Sequence, residues 1–143
     1  MHIERHEIGP RFSEMTVVDV GTGKLVFIAG QVAENTSLDI GGQTREVLGF
    51  IERLLEHVGA GREHIVSARI YLASVGDYAG MNAVWDDWVV PGHTPARCTI
   101  GAKLINSAYK VEIEATAAFT PSSAHAHAHD ENCEKPHSDI DLR

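Results

Sequence analysis

Between Ile40 and Val58 the apolar residues fall on one helical stripe. Thr44, Val47, Leu48, Ile51, Leu54, Leu55 and Val58 recur at steps of three and four, while Arg45, Glu46, Glu52, Arg53 and Glu56 lie off it. Gly59 and Gly61 follow as a stop. The period then changes to two. Over Ile65–Leu72, Val66, Ala68, Ile70 and Leu72 define one face, and Ser67, Arg69 and Tyr71 the other. A long one-sided helix running straight into a one-sided strand requires a layer of helix on sheet.

The other segments fit that requirement. Thr16–Val20 and Leu25–Gln31 read as strands joined through Gly21-Thr22-Gly23, a hairpin signal. A second helix is expected over Val75–Val89. Ser74 and Asp77 open it in capping-box fashion, Tyr78, Met81, Trp85 and Trp88 form its apolar stripe, and Pro91-Gly92 stops it. Arg97–Ala102 and Lys110–Phe119 read as the last strands. The expected order is ββαβαββ, an α+β fold with a mainly antiparallel sheet and two helices on one face. The strands carry Val, Ile and Ala on the other face as well, and a bare apolar sheet face invites a second copy of the chain.

Periodic patterning ends near Phe119. The chain therefore divides into a folded domain, residues 1–119, and a polar His-rich acidic tail, residues 120–143, expected to be flexible because it lacks apolar surface to bury. Net charge is −8, and the domain alone holds ten Lys and Arg against fifteen Asp and Glu. No basic stripe for phosphate binding is visible, so nucleic acid is a poor partner. No apolar run approaches the roughly twenty residues of a membrane helix, and the N-terminus lacks a signal-peptide core. Cys98 and Cys133 do not make a disulfide framework, which points to a reducing cytoplasm.

Two charged residues stand in the last strands, Arg97 in Pro95-Ala96-Arg97-Cys98-Thr99 and Glu112 in Lys110-Val111-Glu112-Ile113-Glu114-Ala115. A guanidinium grips a carboxylate bidentately, and a carboxylate can orient and activate water. Brought into one cleft, they would hold a small carboxylate-bearing molecule for attack by water. Glu114 lies two residues on and shares a strand face with Glu112, so either could serve.

These segments, together with Phe27-Ile28-Ala29-Gly30-Gln31 and Asp77-Tyr78-Ala79-Gly80-Met81-Asn82, resemble the Rid/YjgF family of reactive-intermediate deaminases over about residues 8–119. The resemblance implies a chorismate-mutase-like α+β fold and a homotrimer with a cleft at each subunit interface. It also implies hydrolysis of small 2-imino acids and enamines to 2-oxo acids and ammonia, with Arg97 clamping the substrate carboxylate and Glu112 activating water. No metal, nucleotide or pyridoxal cofactor is required by that chemistry. The chain departs from the common family pattern at pocket-wall positions. Arg11 and then Phe12 follow Gly9-Pro10 where an aromatic residue is usual, Ala29 replaces Ser, Thr99 replaces Cys, and Gly101 replaces Glu. These changes suggest a side branch.

Phe12, Ala29, Asn82 and Thr99 are accordingly candidate substrate-binding residues beside Arg97, although Asn82 reads equally as an exposed polar helix residue. Cys98 reads as a small buried residue. Tyr71 could face either the helices or the cleft, and Arg11 is a candidate second cation. In the tail, His125, His127 and His129 alternate so that an extended chain could present them together to zinc, nickel or copper, with Cys133 or His137 nearby. The leading reading is a cofactor-independent imine and enamine deaminase. The other readings are a non-catalytic trimeric binder or sensor of 2-oxo acids and, against the acidic balance, an RNA-acting or chaperone-like protein.

Overall fold

The computed structural model describes residues 1–122. Six strands and two helices follow in the order β1 (Ile3–Ile8), β2 (Ser13–Val20), β3 (Gly23–Val32), α1 (Ile40–His57), β4 (Ile65–Leu72), α2 (Tyr78–Trp88), β5 (Ala96–Gly101) and β6 (Val111–Phe119). They form one sheet in the order β1-β2-β3-β6-β4-β5, with β4 and β5 parallel and every other neighbouring pair antiparallel. This is the expected α+β architecture, extended by one strand. β1 pairs with β2 at the edge, and its composition, Ile-Glu-Arg-His-Glu-Ile, gave no apolar alternation.

The core lies between the helices and one sheet face. Val111, Ile113, Ala115, Ala117 and Phe119 of β6 point into it, as do Ala68, Ile70 and Leu72 of β4 and Met15 and Val17 of β2. Leu48, Ile51 and Leu55 of α1 close over them, as the stripe demanded. On α2 the stripe is narrower than expected: Met81 and Trp85 are buried, Trp88 is half-buried and Tyr78 is exposed. In β4 a register shift between Ile65 and Ser67 turns Ile65 into the core and leaves Val66 outside, so the expected face assignment fails at that one residue.

Local chemistry fixes the ends of α1. The Asp39 carboxylate accepts from Gly42 N at 2.8 Å, capping the first turn. At the other end Ala60 N donates to Leu55 O and Gly59 N to Glu56 O, with Gly59 at φ 86°. That double bond closes a Schellman motif, whose left-handed residue is best a glycine. α2 begins after a single 3₁₀ turn, Val75–Asp77, and neither Ser74 nor Asp77 caps it through its side chain.

The buried Gln43 of α1 latches the loop that precedes β6. Its Nε2 donates to Ala108 O at 3.1 Å, and its Oε1 accepts from Lys110 N at 2.9 Å. The start of β6, and hence Glu112, is thereby tied to the helix layer. The tail candidates His125, His127, His129, Cys133 and His137 lie outside the described residues. Among the described residues no helix is long and apolar enough to cross a membrane.

Candidate active site

Arg97 lies on the edge strand β5, in parallel register with Ala68, while Thr99 is in register with Ile70. Paired residues of a ladder share a sheet face, so both point toward the helix layer. There α2 holds the guanidinium. Nη1 donates to Asn82 Oδ1 at 2.8 Å and Nη2 to Tyr78 Oη at 3.2 Å. The guanidinium carbon also lies 5.3 Å from the Trp85 ring centroid and 5.8 Å from that of Tyr78. Residues 78, 82 and 85 follow one another on a single helix stripe. Asn82 is thus a partner of Arg97 rather than a solvated helix residue. The Thr99 hydroxyl is buried and has no hydrogen-bond partner among the described residues.

Glu112 points the other way. It alternates with the buried Val111 and Ile113 and stands opposite Tyr71 of β4 and Val32 of β3 on the sheet face that neither α1 nor α2 covers. Its carboxylate rests on Gly30, where any Cβ would collide with it. Gly30 and Ala29 form a bulge in β3. Ile28 pairs with Ala115 and Gln31 with Ile113, so two residues face Glu114 alone.

Glu114 is held by two side chains of β4. Tyr71 Oη donates to Glu114 Oε1 at 2.6 Å, and Arg69 Nε lies 3.4 Å from the same oxygen. Hydrogen bonding to Glu114, then burial, then the negative charge of Glu114 raise the Tyr71 phenol above its ordinary range, with Arg69 opposing. Tyr71 thus sits on the open face between the two carboxylates, bonded to Glu114 and opposite Glu112, whose charge also raises the phenol.

Within one protomer Arg97 and Glu112 do not share a compartment; the sheet separates them. The open face is also apolar beyond Glu112 and Glu114. Phe27, Val66 and Ile100 are 44%, 48% and 48% exposed. Cys98, expected to be buried, is exposed there in register with Arg69. Phe12 and Arg11 are exposed in the β1–β2 connection. Among the described residues no three His, Cys, Asp or Glu side chains gather as a metal site.

A family model described as Endoribonuclease L-PSP matches residues 7–119, from within β1 to the last residue of β6. The chain belongs to the YjgF/RutC family. It is 39% identical to a RutC family protein of Haemophilus ducreyi over 117 residues, 82% of this chain and 97% of that one. Among solved structures, NMB1025, a YjgF family member from Neisseria meningitidis, superposes with a TM-score of 0.78 at 39% identity, covering 85% of this chain and 98% of that one. An uncharacterized protein from Pseudomonas aeruginosa gives 0.76 at 45% identity, covering 82% and 98%.

The YjgF/RutC sequence alone assigns no partners to four polar residues, Glu14, Gln31, Gln43 and Tyr78. The first three are wholly buried polar side chains. Their signal was present as polar residues inside otherwise apolar segments, but only the fold shows what they bind.

Proposed function

We propose that the protein is a cofactor-independent deaminase that hydrolyses small 2-imino acids and their enamine tautomers to 2-oxo acids and ammonia. The observation that carries this reading is the bracing of Arg97. A guanidinium fixed by Asn82 and Tyr78 is pre-organised to receive a carboxylate, so less ordering is needed when one binds. Glu112, seated on Gly30 and opposite Tyr71, supplies the water-activating group.

The two act together between copies of the chain. Arg97 is on an edge strand, and Glu112 lies on the open apolar face. A neighbour that laps its open face over this edge brings its Glu112 to Arg97 while burying Phe27, Val66 and Ile100. A closed homotrimer built on this contact contains three equivalent composite sites. Thr99, beside Arg97 with an unpartnered hydroxyl, is a substrate contact in this arrangement, and Phe12 and Ala29 form walls.

In the reaction, Arg97 holds the substrate carboxylate and Glu112 accepts a proton from water as the oxygen adds to the imine carbon. That proton passes to nitrogen to give the carbinolamine; Glu112 then takes the hydroxyl proton and returns it to nitrogen as the C–N bond breaks, so that ammonia leaves as the C=O bond forms. A positioned carboxylate typically contributes a factor of about 10²–10⁴ to such a step.

An amino-acid oxidase that generates 2-imino acids in the cuvette provides the test. The protein should accelerate their decay beyond spontaneous hydrolysis, and Arg97→Ala should abolish the acceleration. Tight 2-oxo acid binding without acceleration would replace this reading with that of a non-catalytic binder.

A further inference from the structure

We propose that Glu14 and Gln31 are positioning residues for the Glu112 carboxylate, an inference that rests on the deaminase reading of Glu112. Both side chains are wholly buried, Glu14 on β2 and Gln31 on β3. The Gln31 amide Nε2 donates to the Glu14 carboxylate and, at 3.0 Å, to Ala29 O. Ala29 is the first residue of the β3 bulge, and Gly30, the seat of Glu112, is the second.

A bulge interrupts the regular ladder, so its conformation needs bonds from elsewhere. Gln31 provides one to the Ala29 carbonyl, and through Glu14 it ties the bulge to the neighbouring strand. Gly30 is thereby held at a fixed height beside β6. Because Glu112 lies against Gly30 with no room for a Cβ, the height of Gly30 sets the position of the carboxylate. Burying an amide and a carboxylate is costly compared with an apolar pair of similar size. Packing alone would be served by leucine or methionine; a donor aimed at Ala29 O would not.

The test uses the full chain in its native assembly with two readouts. The first is the chemical shift of the Gly30 amide followed against pH by NMR. In the wild type it should track the ionisation of Glu112, a response identified by its loss in Glu112→Gln. Gln31→Met should reduce that response by more than half, Glu14→Leu should reduce it partly, and Glu14→Gln, which can still accept from Gln31, should leave it near wild type. The second readout is turnover of an oxidase-generated 2-imino acid. There kcat in Gln31→Met should fall about 10- to 100-fold, as expected for a misplacement of about an ångström, while KM changes less than about threefold.

An unchanged Gly30 response in Gln31→Met would overturn the positioning role. So would equal losses in Glu14→Gln and Glu14→Leu, which would indicate a general requirement for the native residue. If Gln31→Met does not fold, the comparison of the two Glu14 variants decides alone. If the wild type shows no turnover, the deaminase reading fails, and the Gly30 response still decides whether Gln31 places Glu112.

Discussion

Asn82 accepts a hydrogen bond from Arg97 at 2.8 Å across the gap between α2 and the edge strand β5. The bond orients a guanidinium whose remaining donors, in the proposed function, meet a ligand carboxylate as a planar fork. Asn82→Ala should weaken binding of 2-oxobutanoate about 5- to 20-fold, within the range for a hydrogen bond to a charged group. Arg97→Lys should weaken it more, because an ammonium keeps the charge and loses the fork. Calorimetric titration measures both, and wild-type affinity in Asn82→Ala would show that the brace is idle.

The bonds of Glu114 to Tyr71 and Arg69 predict different variants at the two carboxylates. Glu112→Gln should lower kcat by about 10²–10⁴ with little change in 2-oxo acid affinity. Glu114→Gln should lower kcat less than about tenfold, since its carboxylate serves Tyr71 and Arg69. The reverse ranking in steady-state assays would transfer the catalytic role to Glu114.

Tyr71 should ionise above the ordinary tyrosine range. Its phenol is raised by donating to Glu114, by burial and by the adjacent negative charge. A group raised on folding contributes stability that is fully present below its unfolded value near pH 10 and is lost as pH rises through the folded value. Ultraviolet titration of tyrosinate should show one late transition, absent in Tyr71→Phe and shifted downward in Glu114→Gln. A spectrum in which Tyr71→Phe removes no late transition would contradict the network.

The cap of α1 is separable from the site. Asp39→Ala removes the acceptor for Gly42 N and should destabilise the protein by about 1 kcal/mol. Denaturant unfolding at fixed protein concentration measures the loss, and kcat should be unchanged.

The helix layer was legible because α1 repeats its apolar residues at helical spacing and β4 and β6 alternate. β1 was not, since an edge strand of His, Glu and Arg has no buried face to betray it. The β3 bulge was also hidden: Ala29-Gly30 reads like any strand containing a glycine, and only the pairing of Ile28 and Gln31 with β6 reveals the extra residue. Arg97 and Glu112 stood out as charges in apolar strands, yet alternation within each strand could not relate the faces of two strands until β4 linked them by register. Cys98 read as buried from its strand, but it falls on the face without helices.

The most direct test of the central claim mixes two dead variants. If each site joins Arg97 of one copy to Glu112 of a neighbour, chains carrying Arg97→Ala and chains carrying Glu112→Gln, denatured together at equal amounts and reassembled, should regain activity. Random assembly around a closed ring restores about one site in four, because each site needs an intact arginine from one chain and an intact glutamate from the next. Recovery of about a quarter of wild-type turnover is the predicted result. A mixture as inactive as either variant alone, with hybrid assemblies verified by native mass spectrometry, would contradict a site shared between protomers.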